Sequence, residues 1–517
     1  MFEPLNDSLR KIARGTGIAL IGVTSGLLFS FIARLIIARY GLQANYGIFS
    51  LALAILNFAT ILASLGLYSG AARYIAYFRG KEDASKVHTT ISTSIKLSAI
   101  ASIAFGFAIF LAAETIALRI FHSPELALPL KIFAAGIPFF TLIQVLVAAF
   151  RGFDRVEPQV IFQYLMLNTL FLIILIVTIA IHLPFIAVFY AYLASIVITF
   201  AALATYTARK LPKLTGATDA RDTQPLTKQL LLFSLPLMGV TMLRMFITWT
   251  DTIMLGYFKT PEMVGLYNAA HPLVRSISVP LTALVLIYTP ITTGLYSRNL
   301  MSELRRNYKV STKWLMVIVL PIFLVLFLFP CPVLKLFFGA GYISAANALR
   351  ILSIGFIVSN LAGPNGATLT AIGHPRFLMW TTLAAAILNI VLNLLLIPPL
   401  GIVGAAIASA ASLILINISR TAKLHSLCQA QPLSKNLLKP IIICVALAFL
   451  IQTIAQHFFT INWWMLVILF ILYYGIYGLA TLFTKSFDKE DIALLLEVEK
   501  RSGINMAPLK KILKRFL

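Results

Sequence analysis

Charge is scarce in this chain of 517 residues: Asp, Glu, Lys and Arg make up 12%, against 60% hydrophobic residues, and the mean hydropathy is +0.91. So small a polar fraction excludes a soluble globular protein and indicates a polytopic membrane protein. Cysteine is equally sparse. Cys331, Cys428 and Cys444 are too few and too scattered for a disulfide frame or a metal site. Paired carboxylates, a nucleophile elbow, a phosphate loop and an HExxH motif are all missing, which argues against an enzyme and implies no cofactor and no metal. A cleavable leader is not expected, because the first apolar run, from about Gly15 to Ala38, is long enough to span a bilayer.

What is present is long apolar runs. A bilayer core needs about 20 apolar residues per helix, and the chain predicts 14 such spans, from 15–39 and 47–70 to 438–456 and 464–483. With the N-terminus inside, 32 of the 42 Lys and Arg fall in cytoplasmic segments and five on the other side: Arg39, Arg119, Lys131, Lys259 and Lys335. By the positive-inside rule both termini are cytoplasmic, in a plasma-membrane protein. The net charge of +24 is therefore chiefly a topology signal, and no nucleic-acid partner is implied. The outward loops are short, the longest lying around HSPELALP, and leave no room for an external domain.

Internal repetition divides the chain. YGIFSLA (46–52) and VGLYNAA (264–270) match at an offset of 218. Gly152 with Gly373, and Asn168 with Asn389, match at 221. The expected fold is all-α: 14 transmembrane helices as two six-helix lobes, 1–208 and 229–424, followed by two further helices at 425–483. The polar stretch 209–228 reads as a cytoplasmic linker, without apolar periodicity. Residues 484–517 read as a cytoplasmic amphipathic tail, with a plausible cap at Asp488 and a basic end suited to anionic lipid or serving only as positive-inside charge.

Five basic residues remain inside the spans: Arg34, Lys96, Arg244, Arg275 and Arg350. Lys96 is near enough to its span end to snorkel. Asp251 is the one acidic residue clearly within a span, so a positive surplus remains at a depth where each charge costs about 2.5–3.5 kcal/mol. These charges fall on polar stripes. Ser234, Thr241, Arg244, Thr248 and Asp251 share one face of the seventh span, and Asn268, His271, Arg275, Ser278 and Thr282 one face of the eighth. Shifting the second stripe back by 218 gives Ser50, Leu53, Asn57, Thr60 and Ser64, an uncharged version of the same face. Two lobes with matched polar faces would enclose a wet cavity. Arg244 is nearly equidistant from Lys228 and Lys259, and Arg275 is roughly 20 Å inward from Glu262, so both are cavity candidates. Arg34 and Arg350 are shallower; Arg34 suits a snorkelled structural role as well as ligand contact, and structure is favoured for Arg350. Asp251 is a candidate coupling-ion or proton site, or the neutraliser of an arginine, and His271 a gating group or a polar filler. Pro272, Pro280 and Pro290 favour bending of the eighth span, in transport or as static curvature.

The stretches RLIIARYGLQANYGIFSLA, ARYIAYFRG and WTDTIMLGYFKTPEMVGLYNAA, with the 14 predicted spans, resemble the polysaccharide transporters. These form the oligosaccharide flippase branch of the multidrug/oligosaccharidyl-lipid/polysaccharide flippase superfamily. The resemblance implies a V-shaped pair of six-helix bundles that opens alternately to each side. It also implies movement of an isoprenoid-(pyro)phosphate-linked oligosaccharide from the cytoplasmic to the outer leaflet, its phosphate held in a cationic central cavity. Substrate contacts would then come from Arg244, Arg275, Arg34, Asn57 and Asn268, and coupling or gating from Asp251, His271, Pro272 and Pro280. Gly26 and Asn57 stand where the repeat places Arg244 and Arg275, so a symmetric clamp is not expected. Membrane lipids and a sodium or proton coupling ion are the other implied partners, around a monomer. The alternatives are a multidrug antiporter, which would need more carboxylates than Asp251, and a membrane-embedded glycosyl polymerase or ligase, which would need larger outer loops.

Overall fold

A computed structural model describes residues 3–211, 220–432, 435–458 and 463–483. Among these residues every regular element is helical and there is no strand. A bilayer imposes this, since a helix satisfies its backbone hydrogen bonds within one segment. The expected tail, 484–517, lies outside the described residues, as does the middle of the expected linker.

By internal contacts the chain divides into two units at Gly265/Leu266. The first contains α1 (Glu3–Ala63), α2 (Leu67–Gly80), α3 (Ala84–Thr115), α4 (Ala127–Gly152), α5 (Leu167–Ala180), α6 (Ala187–Lys210) and α7 (Ala220–Phe258). Helix α8 (Pro261–Arg275) crosses the division. The second contains α9 (Val279–Ser297), α10 (Met301–Leu328), α11 (Pro330–Phe337), α12 (Ala346–Leu361), α13 (Asn365–Ala371), α14 (Pro375–Leu400), α15 (Ile402–Cys428), α16 (Lys435–Phe458) and α17 (Trp463–Phe483).

Ten helices among the described residues are long and apolar enough to cross a membrane, eleven if the bent pair Pro261–Val285 and Ile287–Ser297 is one span. This is fewer than the 14 expected from hydropathy. The stretch Gly22–Gly80 counts once, although Leu42 (φ 58°, ψ −171°) interrupts α1 between the first two predicted runs. At the C-terminal end the apolar parts of α16 and α17 are short, Leu438–Thr453 and Ile468–Thr481. The expected linker also differs. Residues 209–210 finish α6, and the chain is helical again from Ala220, so α7 begins nine residues before the predicted lobe boundary at 229.

Helix α7 packs against the first unit because the facing residues are small. Added methyl groups at Gly66 and Gly70 would lie 2.0 Å from the Ser234 carbonyl oxygen and 1.9 Å from its Oγ. Beside them the Arg73 guanidinium lies 4.0 Å from the Phe233 ring centroid, a cation–π contact. Inside the unit Phe49 is stacked on Phe171 and meets Phe133, Phe189 and Tyr192. In the second unit Met316, Leu320 and Leu324 of α10 pack with Cys444, Ala448, Tyr473 and Tyr477, which fastens α16 and α17 to the body. The three cysteines are free.

The closest backbone approach in the first unit joins the two halves of the repeat. A methyl at Gly47 would lie 1.7 Å from the carbonyl oxygen of Pro261, and one at Gly265 would lie 2.0 Å from that of Gln43. Gln43 and Pro261, like Gly47 and Gly265, are 218 residues apart, so the contact is reciprocal between equivalent positions. Small residues permit such crossings where lipid offers no hydrophobic drive between helices. Gly265→Val is expected to lower stability by at least about 1–3 kcal/mol, because backbone atoms cannot yield to the new side chain. Gly239→Ala, with open space around it, should preserve or slightly raise stability. Thermal unfolding of the purified proteins in detergent measures both.

Candidate functional site

Most polar side chains on the predicted stripes meet the apolar surroundings by bonding to their own helices, the buried Ser234 hydroxyl being left without a partner. In α1 the Ser50 hydroxyl donates to the Tyr46 carbonyl (2.8 Å), the Asn57 amide to Leu53 (2.7 Å), Thr60 to Leu56 (2.7 Å) and Ser64 to Ile61 (2.8 Å). Thr241 and Thr248 of α7 donate to Leu237 and Arg244, and Ser276 and Thr282 to Leu273 and Ser278. Such bonds cover each donor and leave acceptor lone pairs facing outward. Asn57 is half-buried in this state.

A guanidinium is not satisfied by one such carbonyl, and Arg34, Arg244 and Arg275 end differently. Arg34 is half-buried and hydrogen-bonds the hydroxyl of Tyr46, itself 1% exposed, with Tyr192 also close. The break at Leu42 folds α1 back on itself and brings these residues together. Composition could not reveal this partner, although Tyr46 opens the YGIFSLA motif. Arg244 of α7 is exposed and makes no ion pair among the described residues. Arg275, in the second unit, is exposed and ends α8, where a cation is favoured by the helix dipole. Asp251 is only 3% exposed, in a buried stretch with Thr250 and Thr252. Along α7 the expected stripe is therefore uneven: Ser234 and Asp251 are buried, Thr241 and Arg244 exposed.

In the second unit Asn268 is buried and His271 is half-buried, its ring stacked on Tyr267 at 6.1 Å. The prolines here have visible effects, each at the carbonyl four residues upstream, where the ring removes a bond and crowds the turn. Upstream of Pro280, residues Ser276–Ser278 form a 3-10 turn that separates α8 from α9. Upstream of Pro290, the segment bends by 44° between Val285 and Ile287. Pro272 lies inside α8 without ending it.

The structure thus puts Arg34, Asn57, Arg244 and Asp251 in the first unit, and Asn268, His271, Pro272, Arg275 and Pro280 in the second. Arg34 and Arg244 separate into a bonded and an exposed cation. Arg34→Met is expected to cost about 1.5–3 kcal/mol of stability, the range for a hydrogen bond to a charged group. Arg244→Ala should stay within about 0.5 kcal/mol of the parent. Equal losses in thermal unfolding would contradict this separation.

A family model described as polysaccharide biosynthesis protein matches residues 12–295, and one described as MatE matches 236–395. An uncharacterized membrane protein of Methanocaldococcus jannaschii is 30% identical over 191 residues, 36% of this chain and 37% of that protein. Agl15 of Haloferax volcanii, a probable low-salt glycan biosynthesis flippase, is 28% identical over 167 residues, 32% of this chain and 35% of its own. The match thus spans about a third of the length of these curated relatives. Among solved structures, the lipid II flippase MurJ in an inward closed conformation aligns with a TM-score of 0.70 at 14% identity, covering 89% of this chain and 97% of that one. An inward-facing multidrug resistance MATE family transporter aligns at 0.64 and 16% identity, covering 80% and 98%. At these identities the likeness is one of fold.

Proposed function

Since the chain belongs to the polysaccharide biosynthesis protein family of the multidrug/oligosaccharidyl-lipid/polysaccharide flippase superfamily, we propose that it is a flippase for an anionic isoprenoid-(pyro)phosphate-linked oligosaccharide. Cargo moves from the cytoplasmic to the outer leaflet by alternating access. The activity is transport, not catalysis. The same reading takes the two short C-terminal helices and the interrupted α1 as separate crossings, giving 14 spans in a monomer of the cell membrane with both termini cytoplasmic. It keeps the sequence repeat as the two lobes, 1–208 and 229–424, joined at 209–228.

One observation carries the reading: the exposed, ion-pair-free Arg244 part-way along an apolar helix, Leu226–Phe258. A guanidinium at such depth is tolerated where water or an anion reaches it. Its planar donors match phosphate oxygens in pairs. Arg275 supplies a second exposed cation, and Asn57, at the position the repeat pairs with Arg275, and Asn268 offer amides for ligand hydroxyls or phosphate. Arg34, bonded to Tyr46, holds that part of the path in shape and reaches the ligand only by exchanging this partner. With an inside-negative potential, outward movement of a group near minus two is favoured by roughly 4–5 kcal/mol per 100 mV.

A second reading, an organic-cation antiporter, is favoured by the buried carboxylate of Asp251. In that case Asp251 and His271 exchange a proton or sodium against cargo while the Pro272 and Pro280 region bends. The two readings separate in proteoliposomes. Labelled lipid-linked oligosaccharide should become accessible from the opposite face in a protein-dependent way, and Arg244→Ala or Arg275→Ala should slow this by about tenfold or more, the loss of a charge-assisted bond. Unimpaired flipping in both folded variants would remove these arginines from the path. Uptake of a cationic dye under a proton gradient, lost in Asp251→Asn, with no flipping, would establish the antiporter instead.

A further inference from the structure

A second cluster in the first unit has binding chemistry that the proposed path does not use. It forms where α2, the end of α4 and residues Gln159–Met166 converge. These last eight residues are a π-helix, with hydrogen bonds five residues apart. In an ordinary helix Gln159 and Tyr164 would point about 140° apart. The wider turn instead puts both Gln163 and Tyr164 alongside Gln159. Helix α1 leaves space for this turn: a methyl at Gly26 would lie 2.6 Å from the Tyr164 carbonyl oxygen, and one at Gly22 would lie 1.9 Å from Val160.

Gln159 donates to the Tyr68 hydroxyl at 2.9 Å and also serves the Tyr164 hydroxyl. The Arg151 guanidinium lies over the Tyr68 ring, 4.5 Å from its centroid. Arg151 makes no ion pair among the described residues, the nearby Asp154 being taken by Arg79. Its Nη1 is buried and has no hydrogen-bond partner, and the same is true of Gln163 Oε1. A covered cationic donor at the end of α4 and a covered neutral acceptor on the π segment packed beside it are thus left unused, both on half-buried side chains. Both are costly to leave so, the cation more than the amide. One ligand answers both if it has an anionic oxygen for Arg151 and a hydroxyl to donate to Gln163.

We propose that Arg151, Tyr68, Gln159, Gln163 and Tyr164 form a binding subsite for an anionic sugar. Its phosphate or carboxylate is taken by Arg151, and a ring hydroxyl is donated to Gln163. The choice of a sugar rests on the flippase reading, whereas the demand for an anion rests on the cluster alone. The subsite lies at the end of the unit that also has Arg73, Arg79 and Lys81, the side that the charge bias makes cytoplasmic.

Calorimetry on the full chain in zwitterionic nanodiscs, titrated with glucose 1-phosphate, glucuronate, inorganic phosphate and glucose, tests this without any transport step. At least one charged sugar should bind more tightly than both glucose and inorganic phosphate. Arg151→Gln should weaken that binding by about tenfold or more, as expected for a charge-assisted bond. Arg151→Lys should retain most of it, and Gln163→Leu should weaken charged-sugar binding while leaving inorganic phosphate unchanged. Arg376→Gln, exposed at the start of α14 in the second unit, is the control and should have no effect. Equal binding by parent and Arg151→Gln, or equal binding of glucose and the charged sugars, would overturn the subsite. Inorganic phosphate binding as tightly as the sugar phosphate would overturn its sugar half. Should Arg151→Gln fail to fold, Gln163→Leu decides. A protein that binds these sugars yet flips nothing would sink the flippase reading and leave the subsite standing.

Discussion

Hydrogen-bond satisfaction away from water is the constraint on which the rest of this structure depends. An apolar medium charges each unmet donor several kcal/mol, so most polar residues in the spanning helices use a local answer, although Ser98, Thr141, Thr199 and Ser234 keep buried hydroxyls without a partner. Hydroxyls and amides have one, the carbonyl a turn upstream, and Ser50, Asn57, Thr60, Thr241 and Thr248 all use it. A guanidinium, with five donors and a fixed charge, is not satisfied by a single carbonyl a turn upstream. The arginines therefore sort by what else reaches them: Arg34 is met by a buried tyrosine, Arg151 in part by an aromatic face, and Arg244 by the surroundings of the protein. This ordering, rather than the mere presence of positive charge, separates structural cations from those available to a ligand.

The glycine crossing shows a second use of the repeat. Two segments that match at an offset of 218 meet at their own equivalent positions, Gly47 against Pro261 and Gly265 against Gln43. A reciprocal contact of this kind has the economy of a symmetric dimer interface, in which one surface must be complementary only to itself. Packing and sequence then divide the chain differently. The repeat places α7 at the head of the second half, while its contacts with Gly66, Gly70, Arg73 and Phe58 place it in the first unit.

Much of this architecture was legible in the sequence, for physical reasons that differ by element. Apolar runs gave helix positions, since only a helix suits such a run in lipid. The break near Leu42 was legible as the polar interval between the first two runs. The prolines signalled an irregular eighth span; the exact turns follow from the carbonyls four residues before Pro280 and Pro290. The offset of 218 was a true guide to contact, but that of 221 was not a guide to shared local roles. Gly152 is a packing glycine, 2.6 Å from Ile75 if given a methyl, whereas Gly373 has open space and supplies a left-handed turn at φ 84°. The early start of α7 escaped notice because a helix, once nucleated, extends through polar residues that need no apolar stripe. The π segment was invisible for another reason: QVIFQYLM has the composition of an ordinary helix, and only its packing against Gly22 and Gly26 distinguishes it.

Charge economy connects these observations to transport. Between Leu266 and Thr484 the sequence has one carboxylate, Glu303, against thirteen Lys and Arg, and Glu303 lies 3.9 Å from Arg306. The first half has more acids, and the pairs Arg79 with Asp154, Lys86 with Asp83 and Lys131 with Glu114 involve exposed or half-exposed groups near helix ends. Such pairs contribute little stability each, and they leave the deeper cations untouched. Under the flippase proposal, the exposed guanidinium of Arg244 is where a phosphate oxygen would find a charged donor.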